Sequence, residues 1–171
     1  GFNKVEFGGP QKIAVHPVTL NPAKLHLFQN HLMMFFTGFS RNASEIAKEQ
    51  IANTDRNHRE LDTMRQMVDQ AMEILNRPGQ NMDDLGRLLD ESWQMKRRLA
   101  SNITNQTIDE IYNVALKAGA IGGKLLGAGG GGFMLFFVKP ERQASVCERL
   151  KHLLHVPFRF ENMGSQIIYY G

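Results

Sequence analysis

Residues 124–138 read Lys124-Leu125-Leu126-Gly127-Ala128-Gly129-Gly130-Gly131-Gly132-Phe133-Met134-Leu135-Phe136-Phe137-Val138. Five glycines in six positions stand between two apolar segments of strand length. Gly127 to Gly132 satisfies the spacing G-x-G-x-x-G, but the dinucleotide-binding form of that pattern leaves a strand and opens a helix. Here Phe133 to Val138 follows, six bulky uncharged residues with no helical period, which excludes that form. A P-loop is excluded as well, because Lys124 precedes the glycines and no Gly-Lys-Ser/Thr follows them. What remains is strand, glycine loop, strand. Glycine tolerates positive φ and leaves backbone N–H groups uncovered, so such a loop can close on an anion or lie flat against another backbone. A plain hairpin tip is the other reading, since two glycines suffice for a tight hairpin.

Working upstream from the loop, Ile108, Ile111, Tyr112, Ala115 and Ala118 recur at helical spacing, with Thr107 and Glu110 as a capping box and Gly119 as the stop. A preceding helix starts near Asn81 and carries Met82, Leu85, Leu88/Leu89, Trp93 and Leu99 on one face. Lys96 and Arg97 share the flank of Trp93; taken alone, such charges are solvated and Trp93 is core. Another helix, capped by Thr54 or Asp55, carries Leu61, Met64, Met67/Val68, Ala71/Met72 and Leu75 and ends before Pro78-Gly79. Its methionines suit adaptable core packing. Leu32 to Phe36 is a continuous apolar run, consistent with a strand buried on both faces. The polar turn Thr37-Gly38-Phe39-Ser40-Arg41 follows it and leads into a helix over Ala43 to Ala52. This turn could hold an anion through Arg41 and free amides, but on its own it reads as an N-capping loop with Ser40 or Asn42 as the cap. Asn21-Pro22 reads as a loop, and residues 1–18 as short strands around a turn at Gly8-Gly9-Pro10.

Downstream, Pro140 opens an amphipathic helix with Val146, Leu150 and Leu153 on one side. Two strand-like stretches follow, His155 to Glu161 and Gln166 to Tyr170. Together these elements predict one α+β domain over residues 1–171, an antiparallel sheet with helices packed on one face.

The 171 residues are 42% hydrophobic, enough for a sizeable core. A net charge of +3 with interspersed signs gives no Lys/Arg block of the kind that reads a phosphate backbone, which argues against nucleic acid. No apolar run approaches the roughly 20 residues of a membrane span. The N-terminus has no secretory pattern, and the single Cys147 fits a reducing compartment, so a cytoplasmic protein without membrane partners is expected. The absence of an initiator Met and the strand-like start suggest a piece of a longer protein. No metal-ligand cluster is apparent: the six histidines are scattered, and His152-x-x-His155 lacks a third ligand nearby in sequence. Cys147 lies among apolar residues as a packed thiol, and Asp83-Asp84 and Asp90-Glu91 occupy polar helix positions where charges are solvated.

Three segments together resemble a known family. Glu91-Ser92-Trp93-Gln94-Met95-Lys96-Arg97, Ile108-Asp109-Glu110-Ile111-Tyr112, and Gly119-Ala120-Ile121-Gly122-Gly123-Lys124 running into the glycine loop and Phe133 look like the C-terminal half of a GHMP-type small-molecule kinase. Within that superfamily the chain is most similar to the D-glycero-D-manno-heptose 7-phosphate kinase branch, over essentially its whole length. The resemblance implies a ferredoxin-like C-terminal domain, with residues 1–20 as the end of the preceding domain. It implies transfer of the γ-phosphoryl of ATP to a sugar hydroxyl with Mg²⁺, a reaction that needs mainly positioning and charge neutralisation. In such kinases the third motif is a glycine loop that braces the nucleotide-phosphate loop of the N-terminal domain. It maps onto Lys124 to Gly132, making Gly127, Ala128, Gly129, Gly130, Gly131 and Gly132 the nucleotide-side candidates.

Thr37, Ser40, Arg41, Lys96 and Lys124 become the substrate-side candidates, with Arg41 able to fork onto a substrate phosphate. The family's Pro-x-x-x-Gly-Leu-Gly-Ser-Ser phosphate loop and catalytic Asp are not in this sequence, so no catalytic residue and no metal ligand is assigned here. ATP and Mg²⁺ are expected mainly on an N-terminal kinase domain, the implied partner. A galactose- or fucose-type specificity, or a non-catalytic α+β binding module, are the alternatives.

Overall fold

A computed structural model of the chain describes residues 1–9, 12–40, 42–79, 81–162 and 164–169. Its elements in order are β1 (Asn3–Phe7), β2 (Ile13–Pro17), α1 (Pro22–Asn30), β3 (Leu32–Phe36), α2 (Ala43–Ala52), α3 (His58–Asn76), α4 (Asp83–Lys96), α5 (Gln106–Ala118), β4 (Ala120–Leu125), β5 (Phe133–Val138), α6 (Pro140–Arg149) and β6 (Leu154–His155). Four strands form one antiparallel sheet in the order β4-β5-β3-β6, and β1 and β2 pair separately. The α+β class and the antiparallel sheet therefore stand.

Alternation along the strands decides which side chains meet the helices. Met33 and Phe35 of β3 and Met134, Phe136 and Val138 of β5 join Trp93, Ile108, Ile111, Tyr112, Val146 and Leu150 in the principal core. The intervening Phe137 belongs to a second cluster with Leu75 and Met82, covered by Phe28 and Leu27 of α1. The β3 run is thus buried on one face and half-buried on the other at Leu32, Met34 and Phe36. Strand β4 lies against α4 at glycine distance: a Cβ on Gly122 would come within 2.1 Å of the Gly86 carbonyl oxygen. A β-bulge between Ala120 and Gly122 resets the register so that Gly123 and Leu125 pair with Phe136 and Met134, and Gly122 and Lys124 with Phe137 and Leu135.

Several local signals resolve differently from the sequence reading. Asn21-Pro22 is not a loop but the start of α1: the Asn21 side chain accepts from Lys24 N–H at 2.8 Å, and Pro22 occupies the first turn. Helix α5 is capped by Asn105, whose side chain accepts from Ile108 N–H at 3.0 Å, in place of Thr107. Helix α3 begins at His58, after a turn through Thr54 and Asp55. Asn42 caps α2 through Ser44 N–H, one of the two caps expected.

Of the stretch from His155 to Glu161 only His155 enters a strand, the two-residue β6, and residues 166–169 form no strand. Val156 N–H still donates to Met34 O of β3 at 2.8 Å, and beyond it the Gln29 amide donates to Phe158 O and accepts from Phe160 N–H. Pro10 and Tyr170 lie outside the described residues. Asp83 and Asp90 are not simply solvated. Asp83 pairs with Lys139 at 2.7 Å, and Asp90 accepts from the Tyr112 hydroxyl and from Gln94. Burial, with Asp90 beside it, pushes the Tyr112 hydroxyl up, so it remains a donor.

Candidate functional site

The glycine loop is closed at its base by Leu126 N–H donating to Phe133 O at 2.8 Å. Beyond that it is tied to several neighbouring segments. Gly130 N–H donates to Ile103 O at 2.8 Å, Gly132 N–H donates to Phe39 O at 2.8 Å, and Thr37 N–H donates to Gly132 O at 2.8 Å. Gln50 of α2 donates to Ala128 O at 2.8 Å, and the Lys96 ammonium donates to Gly127 O. Gly129 and Gly130 are buried. A Cβ on Gly129 would stand 2.9 Å from Ile103 Cα, and one on Gly131 would stand 2.8 Å from Phe39 O. The loop therefore lies flat against two other backbones, and a free hairpin tip is ruled out.

This bracing decides which amides remain. Gly130 and Gly132 spend their N–H groups on the protein's own carbonyls. Among the described residues no acceptor meets the N–H groups of Ala128, Gly129 and Gly131. Backbone amides left free in a glycine loop can serve as donors to an anion.

Lys96 and Lys124 approach this loop from two elements. Lys124 alternates with the core residue Leu125 and pairs in register with Leu135. Trp93, wholly buried and packed on Tyr112 at 6.2 Å between ring centroids, anchors the last turn of α4 that carries Lys96. Burial, and then the neighbouring Lys124, bring the Lys96 ammonium down to about 8. Burial alone lowers Lys124. Neither ammonium has a carboxylate partner among the described residues. Arg97 differs. It is held by Asp109 at 3.0 Å and by Gln94, so it is a structural ion pair and not a solvated charge.

Because the folded chain holds the Lys96 proton less tightly than an unfolded one, this group adds stability as pH rises from about 8 towards 10.5, and costs stability below about 8. At face value the shift is worth about 3 kcal/mol, and partial solvation cuts that to roughly 1–2 kcal/mol. Lys96→Met is therefore expected to raise the melting temperature at pH 7 by roughly 2–8 °C, with the gain shrinking as pH climbs through that window. Thermal unfolding at pH 7 and at pH 10 checks this, and a variant less stable at pH 7 would refute it.

Residues 39–155 match the family described as GHMP kinases C terminal. The chain belongs to this family. It is 28% identical over 154 residues to the D-glycero-alpha-D-manno-heptose 7-phosphate kinase of Campylobacter jejuni, covering 88% of this chain and 44% of that protein. Among solved structures, the mevalonate kinase of L. major in complex with R-mevalonate superposes with a TM-score of 0.68 at 16% identity, over 88% of this chain and 44% of that one. A D-glycero-D-manno-heptose 1-phosphate kinase from Bacteroides thetaiotaomicron superposes with a TM-score of 0.54 at 23% identity, over 94% and 42%. These two likenesses carry the fold. The chain spans less than half the length of these relatives.

In this GHMP kinase domain the other substrate-side candidates occupy different settings. Thr37 is 4% exposed; its hydroxyl lies 3.0 Å from both Phe39 O and Gly132 O and accepts from Gly132 N–H at 3.1 Å. It holds the end of the glycine loop. Ser40 is exposed next to Phe39. Arg41 lies outside the described residues.

The residues that seat the loop, Gln50, Ile103 and Phe39, escaped the sequence reading. Two of them act through backbone carbonyls, which leave no residue-type signature. The donor set of amides and ammoniums suits phosphate oxygens. It does not suit Mg²⁺, which takes oxygen ligands, and among the described residues no three His, Cys, Asp or Glu side chains converge. Cys147 packs partly buried against the principal core, and burial pushes its thiol up, which fits an inert packed thiol. No helix among the described residues is long and apolar enough to cross a membrane.

Proposed function

We propose that this chain is the C-terminal, acceptor-facing half of a cytoplasmic, ATP-dependent sugar kinase that moves the γ-phosphoryl of ATP, with Mg²⁺, to a hydroxyl of a heptose 7-phosphate. The observation that carries this reading is the braced glycine loop, where amides without an acceptor lie beside two ammoniums without a carboxylate partner, both among the described residues. Phosphoryl transfer asks a protein chiefly for fixed positions and for charge neutralisation on the transferring group, and rigid amides serve both. The amides of Ala128, Gly129 and Gly131 face nucleotide phosphate, and their geometry is set in advance by Ile103, Phe39 and Gln50. The general base and the Mg²⁺ ligands come from an N-terminal kinase domain, which docks over the loop. The heptose relative supports the acceptor class.

The test is a steady-state kinase assay of the intact gene product with ATP, Mg²⁺ and a panel of heptose 7-phosphate, galactose, fucose and mevalonate. Heptose 7-phosphate is expected to give kcat/KM at least 100-fold above the other acceptors. Preference for a free sugar would overturn the acceptor, and binding of sugar phosphate without turnover would return the domain to a non-catalytic module.

A further inference from the structure

We infer that Lys96 and Lys124 together seat the phosphate that the acceptor already carries, and so select a phosphorylated sugar over the free one. The inference rests on the kinase reading above and names the residues that would enforce it. An ammonium has three donors and no acceptor. Lys96 spends one of its N–H groups on Gly127 O, and Lys124 spends none among the described residues, which leaves five N–H donors at one end of the loop. Both lysines are half-buried, Lys96 reaches Gly127 O only three residues along the chain from Lys124, and no carboxylate among the described residues pairs with either. Withdrawing two like charges from water without a carboxylate is unfavourable until a counter-charge arrives. A phosphomonoester brings up to two negative charges and three terminal oxygens, which matches this deficit in charge and in donor count.

Bracing of the loop explains Lys96 in part, through Gly127 O, but gives no role to Lys124, whose ammonium donates no hydrogen bond among the described residues. A free sugar hydroxyl would satisfy single donors and leave the two charges uncompensated. A nucleotide phosphate shares the required chemistry, so the experiment has to separate the two sources. Lys96 also ties α4 to the first glycine of the loop, so an anion seated between the lysines would act directly on the loop's base.

The experiment compares wild-type gene product with Lys96→Gln, Lys124→Gln and the double variant, varying ATP and acceptor separately. Each single change is expected to raise KM for the sugar phosphate at least 10-fold, and Lys124→Gln, which removes no bond to the loop, is expected to keep KM for ATP within 3-fold. The ratio of kcat/KM for phosphorylated over free sugar is expected to fall at least 10-fold. A rise in KM for ATP instead in Lys124→Gln, or no change in either KM in that variant, overturns the assignment while leaving the kinase reading intact. If the wild type turns over no acceptor, the kinase reading fails by itself, and calorimetric titration with inorganic phosphate decides the pair. Binding by wild type that is lost in the double variant supports the seat; no binding, or binding indifferent to both lysines, overturns it.

Discussion

Gly129→Val is expected to lower kcat/KM of the intact gene product by at least 100-fold and to destabilise the domain by roughly 2–4 kcal/mol. The backbone at Gly129 has φ of +130°, where a β-branched residue is strained by about 1–3 kcal/mol. Its Cβ would stand 2.9 Å from Ile103 Cα and 3.0 Å from Ile103 O. Neither atom is a flexible side-chain end, so the loop must move away from residues 102–104. That movement breaks the Gly130 to Ile103 hydrogen bond and swings the amides of Ala128, Gly129 and Gly131 off their line. Because the proposed contribution of these amides is positional, the kinetic loss should exceed what the change in stability explains. Kinetics at a temperature where the variant is fully folded provide the check. Unchanged turnover in a folded variant would reduce the loop to a packing element.

Gly122→Ala should act on the fold first, destabilising it by roughly 3 kcal/mol and lowering the melting temperature by about 6–12 °C. The added methyl would lie 2.1 Å from Gly86 O and 2.9 Å from the Asp90 backbone nitrogen, in the middle of α4. On the opposing surface, a Cβ at Gly86 would meet the Phe137 ring at 2.8 Å and Ile121 at 2.9 Å, so neither side has room to yield. Relief requires α4 to lift from β4. The helix carries Lys96 and the strand carries Lys124, so the two ammoniums would separate, and KM for a phosphorylated acceptor should rise together with the loss of stability. A melting temperature within 2 °C of wild type would show that the helix and strand accommodate the methyl.

Much of this architecture is local in origin. The step pattern of Ile108, Ile111, Tyr112 and Ala115 and the six apolar residues of β5 read directly as a helix and a strand, and both form where expected. The readings that failed involve competition among local signals or dependence on a distant partner. Asn21-Pro22 carries both a turn signal and a helix-start signal, and the helix wins because Leu27 and Phe28 have Phe137 to pack against. His155 to Glu161 reads as a strand, but past Val156 Gln29 takes up the backbone groups of Phe158 and Phe160 that a ladder would use.

Read alone, residues 124–138 establish a strand, a glycine loop and a strand, and exclude two familiar nucleotide motifs, because residue order and glycine content are properties of the chain itself. Whether that loop is a slack tip or a braced donor set depends on Ile103, Phe39, Gln50 and Lys96, which reach it only after folding. The same holds for the lysines: nothing in their sequence spacing reveals that two ammoniums from α4 and β4 end up half-buried with no carboxylate partner among the described residues. Desolvation and Coulomb repulsion depend on three-dimensional surroundings, so that part of the site becomes visible only when helix and strand pack together.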